Sequence, residues 1–193
     1  MARSAVERIE RNFPDQVLAA VHQLAIIIAA SLFVALCARI TLPLPFTPVP
    51  LSLQNFGVLL VGLLLGSRRG FAAVALYLVE GASGLPVFTP GLGGIAQLLG
   101  PTGGYLVAYP VVAFCAGWIW ERGSKTFGRA LAATLSAEVI LFAGGISWLM
   151  LLTHTSFVQA SRFALYPFVF GEVIKILTAA GVANRARRYR AQS

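Results

Sequence analysis

Glu172 and Lys175 are the residues of this sequence best placed to do chemistry together. They stand three apart in an apolar stretch, Phe163–Ala183. On a helix, residues at that spacing share a face and reach one another. One reading is a self-neutralising structural pair. The other is a carboxylate acceptor and an ammonium donor offered to a polar ligand. Glu80 and Glu138 sit in other apolar stretches with no partner that the sequence names, and helix-to-helix contacts are expected of both. Gln54 and Asn55 follow Pro48-Val49-Pro50-Leu51-Ser52-Leu53, where side-chain amides either join helices or line the mouth of a cavity.

Two further chemistries are weaker. Gly81-Ala82-Ser83-Gly84 fits the GxSG box of intramembrane serine proteases, with His154 as the available base. His154, however, ends a stretch among Thr153, Thr155 and Ser156, and short Gly/Ser strings arise easily in a chain with 19 glycines. An intramembrane hydrolase at Ser83 is therefore the remote alternative. Gly94 to Thr102 has neither the spacing nor the Lys of a Walker A loop, so uphill transport would draw on a partner or an ion gradient. Cys37 and Cys115 are isolated thiols, and with only His22 and His154 as imidazoles neither a metal site nor a cofactor is expected.

The elements that must position these residues follow from composition. Of 193 residues, 58% are hydrophobic and 11% charged, with a mean hydropathy of +0.79. A soluble domain carries about 25% charge. That shortage excludes a soluble enzyme, a disordered tail and a disulfide-rich secreted module. The expected class is an all-α integral membrane protein. Hydropathy marks six spans: Val17–Ala38, Leu51–Leu65, Gly70–Leu85, Gly104–Trp120, Arg129–Leu152 and Phe163–Ala183. They form one membrane domain over 1–193. The first run exceeds the roughly 7–15 residues of a signal-peptide core and reads as a retained span.

Six spans put both termini on one side. That side collects Arg3, Arg8, Arg11, Arg68, Arg69, Arg122, Lys125, Arg129, Arg185, Arg187, Arg188 and Arg190, against Arg39 and Arg162 opposite. The positive-inside rule makes the first face cytoplasmic, including segment 1–16 and the basic tail 184–193. The net charge of +8 thus reads as a membrane rim in contact with the lipid bilayer, not as a nucleic-acid surface. Trp118, Trp120 and Tyr189 read as anchors at that rim.

Two outer connections, Thr41–Pro50 and Pro86–Gly104, are nearly uncharged and rich in Pro and Gly. The first should run extended, because its prolines forbid helix. Together they read as a lid, since irregular backbone at membrane depth survives only against protein or a water-filled site. An ionisable group at the bilayer centre costs about 2.5–3.5 kcal/mol, which makes function the default for Glu172 and Lys175 beneath that lid. Small residues at helical spacing, Ala25 and Ala29, then Ser31 and Ala35, offer the first span a close-packing face for its own bundle or for a partner.

Pro48-Val49-Pro50-Leu51-Ser52-Leu53-Gln54, Gly84-Leu85-Pro86-Val87-Phe88 and Gly100-Pro101-Thr102-Gly103-Gly104-Tyr105 together resemble the BioY family. Its members are the biotin-binding S components of energy-coupling factor (ECF) importers. The resemblance runs from about Leu24 to Lys175. It implies a six-helix protein that captures biotin with high affinity at the outer face of the plasma membrane. The implied partners are a transmembrane coupling subunit and ATPase subunits. An S component for another vitamin, or a stand-alone facilitator, is the alternative.

Carried onto this sequence, the family's acidic-xx-Lys motif falls on Glu172 and Lys175, with Glu in place of the usual Asp. Gln54 takes the place of the family's amide, and the small-residue face of the first helix corresponds to its surface for the coupling subunit. The cyclic urea of biotin has two N–H donors and a carbonyl. Glu172 could accept from the first and Lys175 donate to the second, as charge-assisted bonds. By loop position, Phe46, Phe88 and Tyr105 would wall the apolar body and Arg39 would meet the tail carboxylate.

Overall fold

The computed structural model describes residues 2–91 and 93–190. Met1, Leu92 of the second Pro- and Gly-rich loop and residues 191–193 of the basic tail lie outside the described residues, as do the side chains of Arg3, Arg8, Arg11 and Arg190. Helices α1 (Ala2–Arg39), α2 (Gln54–Leu65), α3 (Ser67–Ala82), α4 (Gly94–Leu99), α5 (Gly103–Glu121), α6 (Phe127–Thr153), α7 (Phe157–Ala164) and α8 (Val169–Arg190) follow in order. Strands β1 (Thr41–Leu42) and β2 (Leu51–Ser52) pair antiparallel between α1 and α2.

Helix α5 is the hub, packed on α2, α3 and α6, while α1 lies on α2 and α3, and α8 on α2 and α6. With lipid outside, helices gain little from hiding apolar surface and associate by close packing of small residues. Ala113 and Ala116 of α5 and Ala130, Ala133 and Ala137 of α6 are fully buried. At the α2–α5 crossing a Cβ on Gly62 would run into the Ala113 carbonyl, so only glycine lets those backbones meet. The outward side of α1 is the reverse, with Leu18, Leu24, Leu32 and Leu36 all exposed.

The helix ends on the basic side are closed by charge. Glu121, at the end of α5, accepts from the Ser67 backbone N–H at 3.1 Å and the Ser67 hydroxyl at 2.7 Å, placing a carboxylate on the N-terminus of α3. Arg129 donates to the carbonyls of Ile119 and Arg122 at 2.9 and 3.0 Å, covering the C-terminus of α5. Trp118 takes the Arg122 guanidinium over its ring at 3.8 Å, whereas Trp120 is buried rather than anchoring an interface.

Among the described residues, three helices are long and apolar enough to cross a membrane: Gln16–Arg39, Gly103–Glu121 and Phe127–Thr153. The last expected span is broken. Phe157–Ala164 and Val169–Tyr189 meet at a bend of 59°. Pro167 stands in the break: it lacks a backbone N–H and pushes the residue before it out of the helical region. The second expected span starts at Gln54 instead of Leu51, because Leu51 and Ser52 are held in the β1–β2 pair. Its 12 residues make a helix of about 18 Å, short of the bilayer core.

The two Pro- and Gly-rich connections are held by hydrogen bonds. Thr47 donates its hydroxyl to the Phe163 carbonyl at 2.7 Å, tying the first loop to α7. The second loop, expected to form part of a lid, contains α4. Gln97 of α4 donates to the hydroxyls of Thr89 and Thr102, each at 3.3 Å, and accepts from the Gly93 N–H. Trp148 of α6 donates to the Gly100 carbonyl at 2.8 Å.

Candidate functional site

The first turn of α2 carries two buried amides, and they face different neighbours. Gln54 donates to the Tyr77 hydroxyl at 2.7 Å, and Tyr77 donates in turn to the Val87 carbonyl at 3.2 Å. The nitrogen of Asn55 donates to Glu138 Oε1 at 2.6 Å and to Glu172 Oε2 at 2.8 Å. Lys175 donates to Glu172 Oε1 at 2.7 Å. Helices α2, α6 and α8 thus converge on one polar cluster, with Asn55, Glu138, Glu172 and Lys175 each at most 7% exposed.

A cavity of about 50 Å³ lies against this cluster. Its polar wall includes Gln54, Asn55, Glu172 and Lys175, and Tyr105, Tyr109, Phe142 and Phe168 supply aromatic surface. Val49, Pro50, Thr89 and Thr102 bring both Pro- and Gly-rich loops into the lining. Tyr105 is seated by Gly145, where a Cβ would strike its ring, and its hydroxyl donates to the Ala164 carbonyl freed at the end of α7. Its ring edge also meets Phe142, with centroids 6.4 Å apart.

The unspent hydrogen-bonding capacity defines what this wall can do. An ammonium has three N–H donors, and Lys175 spends one on Glu172. Each oxygen of Glu172 takes one bond and has a second lone pair. Asn55 Oδ1 and Glu138 Oε2 are buried with no partner. Buried polar atoms are otherwise almost always satisfied. The site can therefore donate strongly to a carbonyl and accept from several N–H groups while aromatic rings cover an apolar body. Among the described residues no group of three or more His, Cys, Asp and Glu could hold a metal ion.

Of the residues expected from sequence, Gln54, Tyr105, Glu172 and Lys175 share this cavity. Phe88, Arg39 and Phe46 are not among its lining residues. Phe88 is buried with its ring edge-on to Tyr77 at 5.4 Å, supporting the residue that holds Gln54. Arg39 is exposed at the end of α1, and Phe46 is 60% exposed. Sequence reasoning missed Glu138 as part of the cluster and left Asn55 undecided. The available signal was a mid-span carboxylate with no partner on its own helix.

The first-helix pairs separate. Ala25 and Ala29 are exposed, whereas Ser31 is fully buried and donates to Glu80 of α3, with Ala35 half-buried. Ser83 directs its hydroxyl back to the Glu80 carbonyl at 2.7 Å, and His154 closes α6 in a left-handed turn at φ 52°.

A family model described as the BioY family matches residues 9–192. The chain belongs to the BioY family. Among curated BioY relatives, a probable biotin transporter of Pyrococcus horikoshii is 39% identical over 156 residues, covering 80% of this chain and 91% of that one. A biotin transporter of Thermotoga maritima is 37% identical, covering 84% of this chain and 95% of its own. The fold matches the crystal structure of an S-component for biotin from an ECF-type ABC transporter, with a TM-score of 0.80 and 28% identity. That match covers 88% of this chain and 93% of the other. The BioY chain is accordingly a multi-pass, mostly helical membrane protein.

Proposed function

We propose that the protein captures biotin as the S component of an ECF-type importer. It is a transport protein, not an enzyme. The observation that carries the reading is the buried Glu172–Lys175 pair lining a cavity in a BioY-family chain. Lys175 would donate to the ureido carbonyl, Glu172 would accept from a ureido N–H, and Tyr105, Tyr109 and Phe142 would cover the bicyclic body. Gln54, braced by Tyr77 and so by Phe88, would add a polar contact. Arg39, the exposed cation that ends α1, would meet a tail carboxylate leaving the cavity.

The site would open to the outer face beneath a lid of Thr41–Pro50 and Pro86–Gly104. The chain would cross the membrane six times, α7 and α8 together forming one bent pass, with both termini cytoplasmic in the plasma membrane. The one-sided distribution of basic residues supports that orientation. The exposed Ala25 and Ala29 favour an external docking surface for the coupling subunit, which in turn would recruit the ATPase subunits. Ser31 and Ala35 face the chain's own bundle.

Equilibrium binding to the detergent-purified chain tests the reading, with thiamine and riboflavin alongside biotin. Saturable biotin binding with neither of the others bound is the expected result, and absence of biotin binding would overturn it. Copurification of ATPase subunits with the wild type but not with Ala29→Leu would support the docking face against a stand-alone facilitator. A serine-directed fluorophosphonate should leave Ser83 unlabelled.

A further inference from the structure

Asn55 stands between two carboxylates, and that position dictates which way its amide turns. The Glu172 carboxylate, paired with Lys175, only accepts hydrogen bonds, so the amide faces it with its nitrogen. Its two N–H donors are both spent there, one on Glu138 at 2.6 Å and one on Glu172 at 2.8 Å. The oxygen sits on the other arm of the same planar group. It is buried without a partner, on a residue that lines the cavity. Asn55 is only 3% exposed, and its oxygen has no hydrogen-bond partner within the protein.

Glu172 has a second duty, since its other oxygen holds Lys175. Glu138 is buried, belongs to a third helix, and is not among the residues lining the cavity. Its hydrogen bond to Asn55 is the contact that ties α6 into the cluster.

We propose that Asn55 is a specificity-determining contact of this site, its oxygen held toward the cavity by Glu138 to accept one N–H of the ligand. Glu138 is then a positioning residue that never touches the ligand. The arrangement selects a ligand with an N–H donor beside the carbonyl that Lys175 addresses, which is the pattern of a cyclic urea or amide. A ligand that offered a second acceptor there would face Asn55 Oδ1 with no proton between them. The inference rests on the biotin reading of the same cavity.

The test measures equilibrium binding of biotin and of its two ureido N-methyl derivatives to the detergent-purified full chain. Wild-type protein should prefer biotin over both derivatives. In Asn55→Ala, the preference over one of the two should fall at least tenfold, and that isomer identifies the nitrogen Asn55 reads. Glu138→Leu removes the acceptor and should lower the same preference. Glu138→Gln keeps an acceptor oxygen and should retain it within threefold.

Equal weakening of all three ligands in Asn55→Ala would mean a merely structural role and overturn the proposal. A preference lost in Glu138→Gln would overturn the part given to Glu138. Should Glu138→Leu fail to fold, Asn55→Ala and Glu138→Gln decide alone. Wild-type protein that binds no biotin would instead overturn the biotin reading, so the two failures are distinct.

Discussion

Two carboxylate clusters sit among these helices, one half-buried and one buried, and they are built to opposite specifications. On one side Glu80 of α3 takes the hydroxyl of Ser31 from α1, a two-residue contact that closes a helix pair. On the other, Glu138 and Glu172 share Asn55, and Glu172 also holds Lys175. The first cluster adds no residue to the cavity lining, and the second borders it with buried oxygens unpartnered. An ionisable group among apolar helices is costly in either place. What separates glue from site is hydrogen-bonding capacity left over beside a void.

The strongest way to break that contrast is Lys175→Ala. It leaves Glu172 buried without its cation, and losing one partner of a buried pair costs about 3–5 kcal/mol. Biotin affinity should fall more than a hundredfold by isothermal titration. Glu172→Gln keeps the shape and removes the charge. It should weaken biotin by about 2 kcal/mol in the same assay, the scale of a hydrogen bond to a charged group.

Gly145→Ala probes the aromatic wall, because a Cβ there strikes the Tyr105 ring. Overpacking of this kind costs about 1–3 kcal/mol, to be read as a lower midpoint of thermal unfolding in detergent together with weaker biotin binding. The smallest effect belongs to the opposite cluster. Ser31→Ala should lower stability by about 1 kcal/mol while leaving biotin affinity within twofold of wild type. A large loss of affinity in Ser31→Ala would erase the distinction between the two clusters.

Much of the site was legible before any fold. The three-residue spacing of Glu172 and Lys175 survives any helical arrangement, since one helix carries both. Gln54 was legible from its string of flanking residues, and Tyr105 from the Gly-rich run before it. Glu138 was not, because its partner Asn55 lies 83 residues away and no local pattern links them. Phe46 and Phe88, expected to wall the ligand, are not among the cavity's lining residues for a related reason: loop position does not say which way a side chain turns. The break at Pro167 was visible in the sequence, but the apolar run around it read as continuous, since hydropathy counts proline's neighbours and ignores its missing N–H.

The sequence by itself determined that this chain lives in a membrane, which residues mark its basic face and which pair could meet a polar ligand. Those properties depend on composition and on spacing along single helices. The tertiary structure decided the rest: that Ser31 closes onto Glu80 while Ala25 and Ala29 face outward, and that a bend between α7 and α8 frees the carbonyl which holds Tyr105. It also decided that one asparagine spans two carboxylates. The physical reason is that a buried polar group is defined by its partners. In a helical membrane protein those partners come from other helices, whose crossing points are set by packing and not by local pattern.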